Sequence, residues 1–254
     1  MDLHSGLPYW IIRNSLWDYF HPLEKDLSTD VVIVGSGITG ALMAHELCHA
    51  GIKCCIVDKR SIATGSSAAS TALLQYEIDV PLCRMAKIIG EENAATAYHA
   101  CLQSISNIKR VLEETRVNAG FEQLPSLFYA SSAADNKLLE QEHEIRQKHK
   151  LPVNLLEKKK IREEYKVKTP GNALINEASA QMDAYRAATG LLAYHIKESG
   201  LKVFTHTSIK ECIETSDGCI MTTDRGHKIK CGYVIIATGF EAGQFLPQKI
   251  MDLT

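Results

Sequence analysis

The chain has 254 residues, 45% of them hydrophobic and 23% charged, with a formal net charge of -2. That is the composition of a globular protein with chain enough for a large core in one or two domains, and it gives no electrostatic case for nucleic acid as a partner. No apolar run approaches the ~18 residues of a membrane span, and the N-terminus lacks the charged and apolar regions of a signal peptide, so the expectation is no membrane span and a cytoplasmic location.

The first 29 residues contain Trp10, Trp17, Tyr19 and Phe20, too aromatic for a disordered tail, and are expected to pack as an arm on the domain. From Asp30 the pattern sharpens. Val31-Val32-Ile33-Val34 is a β-branched run without polar alternation, as in a strand buried on both faces of a parallel sheet. Gly35-Ser36-Gly37-Ile38-Thr39-Gly40 comes next, then a helical run to His49 that Gly51 ends, then a second strand finishing at Asp58. In a dinucleotide-binding βαβ unit, Gly35 permits the tight turn and Gly37 admits a pyrophosphate against the backbone. Gly40, with Ala44 one turn on, lets the helix lie close on the strand. The helix N-terminus at Ile38 and Thr39 offers unpaired N–H groups and a positive dipole end to a diphosphate, and Asp58, about twenty residues on, suits ribose hydroxyls.

Residues 59–72 are small and hydroxylated. Composition alone reads them as a flexible linker; their place directly after the ribose acid reads them as a continuation of the cofactor site, and the second reading is preferred. Residues 81–119 are helical by three- and four-residue apolar spacing, and 121–130 is short strand material around Pro125. Residues 135–148 and 159–165 are charged helices, with Lys158-Lys159-Lys160 a solvated start rather than a phosphate patch. No catalytic constellation stands out there.

After a turn at 169–172 a strand resumes at Ala173, Asp183 caps a helix over 184–198, and Gly200 ends it. Residues 202–209 and the segments near Ile213, Ile220 and Ile229, with turns at Asp217-Gly218 and Arg225-Gly226, read as a small antiparallel meander. Tyr233-Val234-Ile235-Ile236 is a further buried strand, and its return to the first sheet would put Thr238 and Gly239 beside a cofactor at the carboxyl edge. The eight cysteines (Cys48, Cys54, Cys55, Cys83, Cys101, Cys212, Cys219 and Cys231) form no C-x-x-C pair and read as small hydrophobes; the ten histidines are scattered, and no metal is assigned.

Together these stretches resemble the FAD-dependent D-amino-acid oxidase and glycine oxidase family. The resemblance rests first on the run from Asp30 through Asp58-Lys59. Within Ile62 to Ala72, Gly65 and Ser67 match a family loop, while Ala69-Ser70-Thr71-Ala72 replaces its usual Arg-Asn-Ala-Gly ending. Gln181-Met182-Asp183 is similar to a Val-Asp-Pro signature with Ala184 for the proline, and His206-Thr207-Ser208-Ile209 and Ala237-Thr238-Gly239 are similar to two FAD-contacting segments.

The resemblance implies an α/β fold: a Rossmann-like FAD-binding βαβ sheet with an antiparallel β-meander and a partial, mainly helical α+β substrate-side region. Residues 1–80 would be FAD-binding, 81–170 the substrate side, and 171–254 a return to the FAD-binding part. It implies FAD as cofactor, a small-molecule amine or amino acid as substrate, and hydride transfer from the carbon beside the amine to flavin N5. Gly35, Gly37, Ile38, Thr39 and Gly40 would serve the pyrophosphate, and Asp58, with Lys59 beside it, the adenosine ribose. Ser66 and Ser67 would lie near the diphosphate and ribityl chain, Ile209 near adenine, and Ala237, Thr238 and Gly239 against the cofactor. Thr71, Ala72, Leu74 and Gln75 are placed near the isoalloxazine. No catalytic residue is assigned.

Family members run on well beyond the second motif, so the chain reads as an N-terminal portion, with self-association through uncovered apolar surface a further expectation. Two alternatives stay open: a truncated, non-catalytic FAD-binding fragment, and an NAD-dependent dehydrogenase, since Asp58 suits any ribose diol. The meander and the Ala237-Thr238-Gly239 strand weigh against the dehydrogenase. The near-neutral charge weighs against a domain acting on modified RNA bases.

Overall fold

The computed structural model describes residues 6–17 and 19–244. In chain order its elements are α1 (Tyr9–Asn14), β1 (Leu27–Val34), α2 (Ile38–His49), β2 (Cys54–Val57), β3 (Leu73–Leu74), α3 (Leu82–Ile89), α4 (Glu91–Glu114) and β4 (Glu122–Tyr129). There follow α5 (Asn136–Lys148), β5 (Asn154–Leu156), α6 (Lys158–Glu164), β6 (Ala173–Gln181), α7 (Ala184–Ser199), β7 (Lys202–Phe204), β8 (Ile209–Thr215), β9 (Gly218–Thr223) and β10 (Lys228–Ile236). The fold is mixed α/β, in two compact units. The first takes Met1–Thr71, Glu114–Ala119 and Asp183–Thr254; the second takes Ala72–Glu113 and Gly120–Met182.

The first unit holds a six-stranded sheet in the order β7-β2-β1-β10-β9-β8. The first four strands run parallel to one another, and β9 and β8 continue the sheet antiparallel. Val32 and Val34 of β1 pack with Cys55 and Val57 of β2 and with Met221, Ile229 and Cys231 of the meander in one apolar core. Val31 and Ile33, pointing to the opposite face by the two-residue period of a strand, are equally buried. That double burial is why the run shows no polar alternation.

Two strands differ from the reading by pattern. β10 is a single nine-residue strand where the sequence suggested two, because its environment changes midway. Up to Cys231 it pairs antiparallel with β9, and along its whole length it lies parallel to β1, from Leu27↔Ile229 to Val34↔Ile236. β7 does not open the meander. It extends the parallel part, with Cys55↔Lys202 and Val57↔Phe204 in register.

α2 and α7 pack against each other, and Ala41 and Ala44 of the one and Ala187 and Ala188 of the other are buried. Asp183 caps α7 by accepting from the Arg186 N–H, and Gly200 ends the helix in the left-handed region at φ +68. Between the two helices lies a buried histidine pair, His45 Nδ1 3.0 Å from His195 Nε2, with His195 Nδ1 3.0 Å from Ser199 Oγ. Burial, then His45 and His49 nearby, pushes the His195 imidazole down to about 4. The aromatic arm is tied to this unit. Trp10 Nε1 donates to the Ser70 carbonyl at 2.8 Å, Asn14 Nδ2 to Asp183 Oδ2 at 2.7 Å, and the Trp17 N–H to the Tyr185 hydroxyl at 2.9 Å.

In the second unit β6 is the central strand, paired antiparallel with β4 along one side and with β3 and β5 along the other. The β4 register slips between Leu124 and Ser126, where Pro125 removes a ladder donor. α3, α4 and α5 close a core around Tyr76, Leu82, Ala94, Tyr98 and Ile105. Its polar centre is Arg146, which donates to Glu142 at 2.7 Å and to Glu77 at 3.1 Å while its guanidinium lies over the rings of Tyr76 and Tyr98. Glu142, fully buried, also accepts the Leu82 and Cys83 N–H groups at 2.9 and 2.8 Å, which caps α3. Among the described residues no helix is long and apolar enough to cross a membrane.

Candidate functional site

The carboxyl edge of the parallel strands opens on a cavity of about 240 Å³. Four sequence stretches meet there: Gly35 to Thr39 after β1, Asp58 to Ser70 after β2, Thr207 to Ile209 after β7, and Ala237 to Glu241 after β10. They converge because parallel strands present all their C-terminal ends on one side. The register Val34↔Val57 and Val34↔Ile236 sets the turn after β1 between the other two ends.

The glycine turn is sterically committed. A Cβ on Gly35, whose φ is +110, would stand 2.4 Å from the Ala237 carbonyl oxygen, and one on Gly40 would stand 2.0 Å from the Gly35 oxygen. Gly40 therefore sits behind the wall rather than on it, letting α2 start hard against the turn. Ser67 Oγ accepts the Ile38 N–H at 2.9 Å, so one amide of the helix N-terminus is already satisfied within the chain. Among the described residues the amides of Gly37 and Thr39, both on the wall, have no partner. Thr238 Oγ1, on the same wall, is buried without a hydrogen bond.

Asp58 is half-buried and largely engaged by the protein. Its Oδ2 accepts the Ser36 N–H at 2.8 Å and the Ser36 hydroxyl at 2.6 Å, and its Oδ1 accepts the Arg60 N–H at 2.8 Å. A carboxylate has about four acceptor positions, so three bonds leave room for one more. The Thr207 N–H donates to the Asp58 carbonyl at 2.9 Å, which brings Ser208 and Ile209 alongside. Lys59 and Arg60 both reach Glu241, at 2.6 and 2.8 Å. The Arg60 hydrogen bond first, then that from Lys59, holds the Glu241 carboxyl down to about 2 against the opposing effect of burial.

Of the residues singled out in the sequence, Gly35, Gly37, Ile38, Thr39, Asp58, Lys59, Ser66, Ser67, Ile209, Ala237, Thr238 and Gly239 line this cavity. Thr71 is exposed and off the wall. Ala72 and Leu74 belong to the second unit, where Ala72 accepts the Met182 N–H and Leu74 lines a different cavity of about 440 Å³ with Gln75, Glu77 and Arg146. Arg60, Ala63 and Glu241 were not singled out. Adjacency to the acid marks Arg60; no pattern marks Glu241, which comes after the last motif in a 3-10 turn over Gly239–Gln244.

Comparison with known proteins agrees with this architecture. The chain is 23% identical over 232 residues to YhfW of Bacillus subtilis (strain 168), named as a Rieske 2Fe-2S iron-sulfur protein, a match covering 91% of this chain and 44% of that one. The glycine oxidase structure from Geobacillus kaustophilus superposes with a TM-score of 0.70 at 22% identity, over 84% of this chain and 56% of the other. An L-amino acid deaminase structure from Proteus vulgaris, lacking its specific insertion sequence, superposes with a TM-score of 0.74 at 17% identity, over 98% and 61%. The chain thus spans about half the length of these relatives, and at such identities the structures establish a shared fold. The family described as FAD dependent oxidoreductase, DAO, matches residues 30–253, and the chain belongs to that family.

Proposed function

We propose that the cavity of the first unit holds the adenosine diphosphate end of FAD, and that the chain serves the oxidation of an amine or amino acid. The observation that carries this reading is the convergence, on one wall, of the unpartnered Gly37 and Thr39 amides, the orphaned Thr238 hydroxyl and a carboxylate with one acceptor position left. Amides at a helix N-terminus suit a diphosphate, and the spare acceptor of Asp58 suits a ribose hydroxyl. At about 240 Å³ the cavity is smaller than the roughly 300–1,000 Å³ of whole-ligand pockets, in keeping with a seat for part of a dinucleotide.

Bound FAD would supply the electron acceptor, taking a hydride from the carbon that bears the substrate amine. The chain's own residues bind and orient. Gly35 and Gly40 keep the turn narrow, Ser66 and Ser67 flank the diphosphate, and Ile209 lies at the adenine end. Lys59 and Arg60, both paired with the single Glu241 carboxylate, close the cavity beside the acid. The family membership and the glycine oxidase and L-amino acid deaminase structures support the substrate class.

Purified protein incubated with FAD and freed of excess should show the flavin band at about 450 nm, and NAD should not displace it. Anaerobic bleaching of that band by an amine or amino acid would establish turnover. Colourless protein after FAD loading would overturn the reading. Retained flavin that no amine or amino acid reduces would leave binding without the oxidation and favour a non-catalytic FAD-binding role.

A further inference from the structure

The amino edge of the same sheet, where β1, β2 and β7 begin, has its own opening. It is a cavity of about 530 Å³ whose wall includes Leu27, Cys48, Gly51, Cys54, Cys55 and Lys202. Cys48 is in the last turn of α2 and Cys54 is the first residue of β2. Their Sγ atoms lie 3.9 Å apart, both thiols are free, and both residues are half-buried on the open wall. Van der Waals contact at that separation must close to about 2.05 Å for a bond. In the segment between them Gly51 sits at φ +73 with open space where a Cβ would be, and Ile52 is exposed. Among the described residues neither thiol makes another hydrogen bond, and neither lines the cofactor cavity.

We propose that Cys48 and Cys54 are a redox modification site, a dithiol that a peroxide of small size converts to an intramolecular disulfide. The Cys48 thiolate attacks one oxygen of hydrogen peroxide; the O–O bond breaks, hydroxide leaves, and Cys48 becomes a sulfenic acid. The Cys54 sulfur then attacks the Cys48 sulfur, the S–O bond breaks, and hydroxide departs with the Cys54 proton as water. Two thiols lose two electrons and two protons, and peroxide becomes two waters.

Cys54 as the second sulfur accords with its surroundings: burial first, and Cys48 alongside, push its thiol up to about 12. Once Cys48 is a neutral sulfenic acid, the repulsion it exerted on a Cys54 thiolate is gone and the second step is eased. Cys55, fully buried and also pushed up to about 12 by burial, stays out.

Lys53 lies between the two thiols, so trypsin separates them into peptides 26–53 and 54–59. The full chain is treated with hydrogen peroxide, denatured in an alkylating agent and digested. The expected product is the two peptides joined, about 2 Da lighter than their sum, with the alkyl group on Cys55 when the species is fragmented. Reduction with dithiothreitol should release both peptides, and the Cys48→Ser protein should give no joined species. Separate, fully alkylated or over-oxidised peptides from the wild type, an alkyl group on Cys54 with the bond at Cys55, or joined peptides from Cys48→Ser would each overturn the proposal.

Discussion

Asp58→Ala tests two roles of one carboxylate, and the structure separates them. In the fold, the side chain accepts three protein donors: the Ser36 N–H, the Ser36 hydroxyl and the Arg60 N–H. Ser36 is fully buried. Its N–H and its hydroxyl proton both lose their acceptor, the hydroxyl keeping the Ala63 N–H that it accepts at 3.2 Å, while the Arg60 amide is nearer water. A buried donor without a partner costs about 1–3 kcal/mol, and the lost charge-assisted bonds bring the expected destabilisation of the FAD-free protein to about 2–4 kcal/mol. Urea titration should show the midpoint falling at constant slope. The second role is read as affinity. Loss of a ribose bond to a charged acceptor, about 1.5–3 kcal/mol, weakens FAD by roughly 10- to 150-fold, measurable by flavin fluorescence quenching without urea at a temperature where the variant is folded. A stability change within about 0.5 kcal/mol refutes the turn-organising role; unchanged FAD affinity refutes the ribose role.

Three further outcomes are expected. Gly40→Ala sets a methyl 2.0 Å from the Gly35 oxygen, and because that neighbour is backbone, stability should fall by about 3 kcal/mol or more; denaturant unfolding within about 1 kcal/mol of wild type contradicts the packing described. Arg146→Met strands the buried Glu142 carboxylate, so a loss of about 3–5 kcal/mol is expected in denaturant unfolding at neutral pH; a neutral effect shows that the pair is dispensable. His195 is held neutral, its value lowered from 6.5 to about 4, so its contribution is whole above pH 6.5 and is lost as the pH falls from 6.5 towards 4, up to roughly 3 kcal/mol; the His195→Gln protein should lack that slope in a series of melts across the window.

How much of this was legible beforehand depends on what kind of signal each residue carries. The turn from Gly35 to Gly40 and the acid at Asp58 could be read because their spacing is dictated by backbone geometry, and the cavity gathers Gly35, Gly37, Ile38, Thr39 and Asp58, with Gly40 behind its wall. Glycine endings at Gly51 and Gly200 and the Asp183 cap were legible for the same reason: a local conformation demands a residue type. Long-range facts left no local mark. Glu142 and Arg146 look like an exposed i,i+4 pair on a charged helix, yet both are buried, because Glu77 and two α3 amides from elsewhere in the chain complete them. His45 and His195 are 150 positions apart and neither carries a sign of the other. β10 read as two strands because pattern reports environment, and its environment switches at Gly232 while its backbone continues.

The pairing of β1 with β10 has a bearing on biosynthesis. The partner of Val34 is Ile236, so the ribosome must deliver the chain through Ile236 before the glycine turn acquires its neighbour. All the strands of the second unit, from Leu73 to Gln181, have emerged by then and can pair while the first sheet waits with an edge uncovered. Completion of the turn is consequently a late event, and a nascent chain stalled before residue 228 would present it without the Ala237 carbonyl that backs it.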